Sequence, residues 1–213
     1  MMELNIMNDE PPVVFLIDDD ASVRGGVTDL LRSVGLRVEA FTSTQEFQRR
    51  ARTDAAACIV LDVRLPGPSG LEFQRTLLGS NDELPIIFIS GYSDIPMSVR
   101  AMKSGAIEFL TKPLHQQALL DAIQLGIERN RADRQERRID EELQERFDSL
   151  TPREREILTL IITGRPNKQV AADAHLSELT VKVHRSHVMH KMGARSLVEL
   201  VRMADRLGIS GKS

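Results

Sequence analysis

The chain has one cysteine, no tryptophan and no long apolar run. Among its 213 residues are one Cys, one Tyr and seven Phe. A single cysteine, Cys58, excludes an internal disulfide and fits a reducing compartment. No apolar stretch approaches the roughly 18 residues of a membrane span. The opening residues, MMELNIMNDEPP, are acidic and lack the basic start and apolar centre of a signal peptide. The expectation is a cytoplasmic protein with no membrane partner. A 41% hydrophobic content and this length suit one large domain or two ordinary ones.

The charge is unevenly spread. Residues 1–125 carry 11 Lys and Arg against 17 Asp and Glu, and residues 126–148 carry 6 against 8. Residues 149–213 reverse the balance, with 11 against 6. A basic terminal third on an acidic chain points to two domains, the second facing a polyanion.

The stretch Cys58-Ile59-Val60-Leu61 ends in a lone carboxylate, Asp62, and Pro66-Gly67-Pro68-Ser69-Gly70 then breaks the chain. Four consecutive apolar residues before a turn cluster read as a strand buried on both faces. The run Val13–Ile17 ends likewise in Asp18-Asp19-Asp20, Pro85–Ile89 ends at Ser90-Gly91, and Arg37–Phe41 and Ile107–Leu110 complete a set of five strands. Helical patterns starting at Ser22, Ser43 (to Ala51), Ser69 (to Leu78), Pro96 (to Ser104) and after Thr111-Lys112-Pro113 alternate with them. Five β-α units predict a doubly wound, five-stranded parallel sheet with helices on both faces.

Ligands in such sheets sit beyond the carboxyl ends of the strands. Asp18, Asp19, Asp62 and Ser90 all fall there, with Lys112 just past the fifth strand. Neighbouring carboxylates repel by about 4 kcal/mol per pair at 4 Å and an effective dielectric near 20. Such a cluster needs a cation or raised pKa values, and an all-oxygen donor set suits Mg²⁺ (or Mn²⁺). A lysine and a hydroxyl beside the metal would complete a pocket for a phosphoryl group.

This first domain, residues 12–126, resembles the flavodoxin-like receiver domain of bacterial response regulators. The resemblance rests on IDDD at 17–20, LDVRLPGPSG at 61–70, ISG at 89–91 and FLTKP at 109–113. It implies that Asp62 accepts the phosphoryl group. Asp18, Asp19, Asp62 and the backbone carbonyl of Arg64 would hold the metal, and Ser90 and Lys112 the phosphoryl oxygens. Ser90 and Phe109 would form the switch, and the Lys112–Pro113 bond would be cis. Arg64 and Tyr92, two residues past Asp62 and Ser90, would flank the water that hydrolyses the acyl phosphate. Asp20 reads as a helix cap.

Residues 127–148 read as a charged, solvated helical linker, with too few heptads to argue for a coiled-coil dimer. Beyond it, Thr151, Pro152 and Glu154 carry three helix-start signals. Gly164 stops that helix, a short one follows from Asn167 to Ala174, Ser177 caps a third, and Ser196 with Glu199 opens a fourth. Four short helices with a three-residue turn between the second and third form a helix-turn-helix domain. The third helix carries Lys182, His184, Arg185, His187, His190 and Lys191 against one acid, Glu178. A helix this basic suits the major groove. Its histidines share i,i+3 spacing, but no cysteine accompanies them.

Residues 149–208 resemble the LuxR-type DNA-binding domain, through LTPRERE at 150–156, GRPNKQVA at 164–171, LTVKVHR at 179–185 and KMGARSLVEL at 191–200. Arg165 departs from an apolar residue usual there, and His175 from a Gly or small polar one. The whole chain resembles the FixJ/NarL class, closest to its FixJ-like branch. That implies a transcription regulator, an activator by expectation, that is no enzyme beyond its own phosphotransfer and dephosphorylation. Its partners would be a cognate sensor histidine kinase, promoter DNA, RNA polymerase and, once phosphorylated, a second copy of itself. The DNA contacts would come from Asn167, Lys168, Thr180, Lys182, Val183, His184, Arg185, His187 and Lys191. Two alternatives remain at this point. Asp18-Asp19-Asp20-Ala21-Ser22 can be read as the start of a haloacid dehalogenase-type phosphatase, which leaves Asp62 and the basic helix unexplained. A receiver acting only by protein contact is the other.

Overall fold

The computed structural model describes residues 10–51, 53–77, 84–91 and 95–211. The chain divides into two compact units, Met1–Arg134 and Gln135–Ser213.

In the first unit the apolar runs form β1 (Val13–Ile17), β2 (Arg37–Phe41), β3 (Ala57–Asp62), β4 (Ile86–Ser90) and β5 (Glu108–Thr111). All pairings are parallel, in the order β2-β1-β3-β4-β5. The three inner strands are buried along their whole length, which explains their unbroken apolar sequence. Alternation sends Val14, Leu16, Cys58, Val60, Ile87 and Ile89 to one face, where they meet Val27 and Leu31 of α1 (Ala21–Ser33) and Leu119 and Ile123 of α5 (Gln116–Asp148). Phe15, Ile17, Ile59, Leu61 and Phe88 line the other face. There they meet Phe47 of α2 (Thr44–Gln48), Phe73 and Leu77 of α3 (Gly70–Leu77) and Ala101 of α4 (Ile95–Lys103). Each of these large side chains contributes about 1.5–3 kcal/mol by leaving water.

Several boundaries differ from the sequence expectation by a residue or a turn. β4 starts at Ile86 because Pro85 has no N–H to give the ladder. β5 is displaced by one residue and ends at Thr111. α2 stops at Gln48, three residues early. Beyond it, the Arg50 guanidinium lies over the rings of Phe47 and Phe15, at 3.8 and 4.6 Å from their centroids. Asp20 caps α1 as expected, accepting from the backbone N–H groups of Ser22 and Val23 at 2.8 and 3.2 Å. Leu78, expected to end α3, lies outside the described residues.

Helix α5 runs unbroken to Asp148, and its residues 131–142 are exposed except the half-buried Arg134, as the run of charge implies, but the turns on either side pack into the two units. Ile127 is buried in the first unit, and Asn130 is 1% exposed, its side-chain oxygen accepting from Ala57 N at 3.0 Å. Past Arg134 the helix belongs to the second unit, with Leu143 in its core and Phe147 packed against it. The change of apolar phase along the sequence therefore marks a change of partner.

The second unit continues with α6 (Pro152–Ile161), α7 (Asn167–Asp173), α8 (Glu178–Met192) and α9 (Leu197–Arg206). Thr151 and Glu154 form a reciprocal capping box on α6. Ser177 and Ser196 cap α8 and α9 through Thr180 N and Glu199 N, both at 3.1 Å. Ile157, Leu158, Ile161, Val170, Val181, Val188 and Met192 make the core. His175, in the α7–α8 turn, adopts φ 52°, a left-handed conformation that glycine takes at no steric cost. Arg165 is anchored by Asp173, Nη1 to Oδ2 at 2.7 Å.

Candidate functional site

Strand register brings the acidic cluster together. Ile17 pairs with Leu61, so Asp18 and Asp62 leave neighbouring strands side by side. Ser90 follows at the end of β4, and its carbonyl accepts from Lys112 N at 2.7 Å, which fixes Lys112 beyond β5. The Lys112–Pro113 bond is cis. Lys112 Nζ donates to Asp62 Oδ2 at 2.5 Å and to Asp18 Oδ2 at 2.7 Å. The remaining carboxylate oxygens take backbone donors: Asp62 Oδ1 from Arg64 N and Asp18 Oδ1 from Asp20 N, both at 2.8 Å. Arg24 Nη1 holds the Asp18 carbonyl at 2.7 Å.

Asp18 and Ser90 are fully buried and Asp62 nearly so, whereas Asp19 and Arg64 are exposed. Burial raises the Asp18 pKa above the ordinary carboxylate value, against the opposing hydrogen bond from Lys112. Burial also disfavours the Lys112 ammonium, but its two carboxylate partners outweigh this and its pKa is raised. Phe109 is half-buried against the core, its ring centroid 6.3 Å from that of Phe88. Tyr92 lies outside the described residues.

Carboxylate oxygens of Asp18, Asp19 and Asp62 lie within 4.8 Å of one another. Three carboxylates face one ammonium, and the donors are all oxygen. Such a site fits a hard divalent cation, Mg²⁺ or Mn²⁺, in charge and in donor type. When bound, the ion would offset charge on the carboxylates and on an incoming phosphate.

In the second unit, α8 presents Leu179, Lys182, Val183, Ser186, His187 and His190, all exposed and spaced by three or four residues along one stripe. Arg185 stands beside it, half-buried, with Nη1 donating to Asn167 Oδ1 at 3.3 Å. Lys168 is exposed on α7.

A model of the response regulator receiver domain matches residues 14–124, and one of the bacterial regulatory proteins of the luxR family matches residues 148–204. The chain belongs to the response regulators. Nodulation protein W of Bradyrhizobium diazoefficiens is 52% identical over 93% of this chain and 87% of its own. The response regulator protein TodT of Pseudomonas putida is 42% identical over 96% and 90%. Among solved structures, that of the response regulator StyR superposes with a TM-score of 0.84 at 48% identity, over 92% of this chain and all of that one. This response regulator thus joins a receiver domain to a LuxR-type DNA-binding domain, which implies a kinase upstream and DNA downstream. Receiver domains generally bind Mg²⁺ through an acidic pocket, here the Asp18, Asp19 and Asp62 cluster. No helix among the described residues is long and apolar enough to cross a membrane.

Of the residues expected at the acidic pocket of this response regulator, Asp18, Asp19, Asp62 and Lys112 converge, with Ser90 at the end of the next strand; those expected at DNA converge only in part. Lys182, Val183 and His187 share the open stripe, and Asn167 and Arg185 are joined at its edge. Three turn elsewhere. Lys191 Nζ donates to Glu154 Oε2 at 2.6 Å and to Ser149 O at 3.2 Å. Thr180 Oγ1 lies 2.7 Å from the capping Ser177 Oγ. His184 is half-buried, with Nδ1 shielded from solvent. Leu179 and Ser186, which share the stripe, were not among the residues expected at DNA; i,i+4 and i,i+3 spacing from Val183 finds both.

Proposed function

We propose that Asp62 accepts a phosphoryl group from a sensor histidine kinase, and that the phosphorylated protein dimerises and binds promoter DNA to regulate transcription by RNA polymerase. The observation that carries this is the hold on Asp62. One of its oxygens takes the Arg64 N–H and the other Lys112 Nζ, while Asp18 and Asp19 supply the metal-binding carboxylates beside it. Asp62 is then oriented for in-line attack on phosphorus, and Lys112 is placed to exchange its carboxylate partner for a phosphoryl oxygen. Ser90 would take another of those oxygens, and the Arg64 carbonyl would complete the protein's donors to the metal.

Movement of Ser90 toward the new phosphoryl group would let Phe109 turn inward and reshape the adjoining face of α4. Ile95, Val99 and Met102 are 77, 44 and 42% exposed on that helix, which supports a self-complementary apolar contact with Arg100 and Lys103 at its rim. Stripe residues of α8 would enter the major groove, led by Lys182. In this reading the chain catalyses nothing beyond its own phosphotransfer and dephosphorylation.

The test is labelling by acetyl phosphate with Mg²⁺, followed by sedimentation. Asp62→Asn should take no label and remain monomeric where the wild type dimerises. Undiminished labelling of Asp62→Asn would move the phosphoacceptor elsewhere, and a labelled wild type that stayed monomeric at tens of micromolar would remove the dimer.

A further inference from the structure

The stripe of α8 has an unexpected feature for a surface expected to meet a polyanion. Leu179 is 72% exposed, the most of any large apolar side chain in the second unit, and Val183, one turn further on, is 47% exposed. Leaving a leucine in water on a two-turn face costs burial that the helix could have had with a polar residue. The core does not need either side chain: Val181 and Val188 are fully buried and supply the inward contacts of this helix. Nor are the two isolated apolar spots, because they stand at i and i+4 with Lys182 between them and Ser186 and His187 immediately beyond.

We infer that Leu179 and Val183 read thymine, by packing against the C5-methyl groups of adjacent or next-adjacent base pairs in the major groove. This rests on the reading that α8 enters that groove. Thymine is the only base that presents an apolar group there, so an apolar side chain at the groove floor has one specific partner. The spacing agrees. Successive turns of an α-helix are about 5.4 Å apart, and base pairs rise about 3.4 Å per step. One turn of α8 therefore covers between one and two base-pair steps. Lys182, between the two apolar residues, is placed to reach the O6 and N7 acceptors of a guanine. The region's charge selects DNA over a protein as the occupant: residues 149–213 carry 11 Lys and Arg against 6 Asp and Glu.

The experiment starts from duplexes selected from a random library by the phosphorylated full chain. Each thymine of the selected site is then replaced by deoxyuridine, which removes one methyl and nothing else. A buried methyl is worth about fourfold in binding. We expect at least one thymine in each half-site whose replacement weakens binding by about that factor. The penalty should vanish at one position in Leu179→Ala and at another in Val183→Ala. Both residues are exposed, so the variants should fold as the wild type does, which circular dichroism checks. Deoxyuridine without effect at every position, or a penalty undiminished in both variants, would overturn the inference. Leu179→Ala that binds DNA normally but loses self-association would also overturn it and assign the leucine to a protein contact. Lys182→Ala separates the two levels. If it binds the selected site as the wild type does, α8 is not the reader and both readings fall. If it binds weakly while deoxyuridine is silent, only the thymine assignment falls.

Discussion

Gly70, the first residue of α3, offers a direct test of how tightly the end of β3, which carries Asp62, is held. A Cβ built on it would lie 2.6 Å from the Asp62 carbonyl oxygen, 3.1 Å from Val63 Cα and 3.2 Å from a Phe88 ring carbon. Two of these atoms are backbone of β3 and its continuation, and they cannot rotate away. The helix is also tied there, with Gly70 N donating to Val63 O at 3.0 Å. Gly70→Ala must therefore push α3 from the sheet or displace the end of β3 by several tenths of an ångström. Overpacking of this kind costs about 1–3 kcal/mol, which outweighs the roughly 0.5–1 kcal/mol that alanine gains over glycine inside a helix. Tm should fall by several degrees. Because the displaced carbonyl belongs to Asp62 itself, phosphorylation should also slow, on the order of tenfold, at temperatures where the variant is fully folded. Gly25→Ala and Gly26→Ala are the controls. Both glycines lie on the exposed side of α1 with nothing within 4 Å of the added carbon, so each substitution should stabilise the protein. The assays are thermal unfolding by circular dichroism and the rate of acetyl phosphate labelling. A Gly70→Ala variant with the Tm and labelling rate of the wild type would refute the reasoning.

Mg²⁺ at millimolar concentration should raise the Tm of the first unit by binding the folded state alone, and Asp19→Ala should shrink that rise; an equal rise in the variant would remove Asp19 from the metal site. Glu154 has its pKa held down at about 2 by the Lys191 ammonium and by the Thr151 N–H, so its charge stabilises the second unit above the ordinary glutamate value of 4.5 and loses that effect as pH falls from there toward about 2. Glu154→Gln should therefore cost about 1.5–3 kcal/mol at pH 7, with the gap closing across that acid window; urea midpoints at pH 7 and pH 3 measure it, and a gap independent of pH would count against the Lys191 pair. Arg64 is large, exposed and no orienter of water, so the acyl phosphate should decay slowly; Arg64→Asn should shorten its lifetime after the donor is removed, and equal decay would show that this side chain does not flank the water.

The sheet and the acidic pocket were legible because strand ends are marked in the sequence itself. A buried strand must be apolar throughout, so the first carboxylate after it, as at Ile17-Asp18 or Leu61-Asp62, announces where the strand meets solvent and where a ligand can sit. Parallel order then brings Asp18, Asp62 and Lys112 together from 94 and 50 residues apart. Side-chain direction on α8 was less legible. Lys191 and Arg185 count as positive charge in any tally, yet Lys191 is turned onto Glu154, and Arg185 is shared with Asn167. A long side chain goes where its partner is, and the partner lies in another helix. The division within α5 was illegible for a related reason. Ile139, Leu143 and Phe147 form a clear apolar repeat, but only Leu143 and Phe147 join a core, the one around Leu150 and Ile157 that comes later in the chain, while Ile139 stays 42% exposed.

Glu154 shows why stability and recognition are hard to separate in the second unit. Its Oε2 accepts the Thr151 N–H at 2.8 Å, which closes the cap of α6, and the Lys191 ammonium at 2.6 Å, which ties down the last turn of α8. Its Oε1 lies 3.6 Å from His187 Nδ1, on the open stripe of the same helix. One nearly buried carboxylate thus starts one helix and sets the seat of another. Removing the side chain would fray α6 and free α8 together, so a loss of DNA binding in Glu154→Ala would not distinguish a misplaced reader from an unstable domain. A glutamine keeps an acceptor for the cap and removes only the charge that holds Lys191. The position of α8 is therefore an electrostatic property of the domain as well as a packing one, and Lys191, which the sequence offers as a DNA contact, is held in this structure by Glu154.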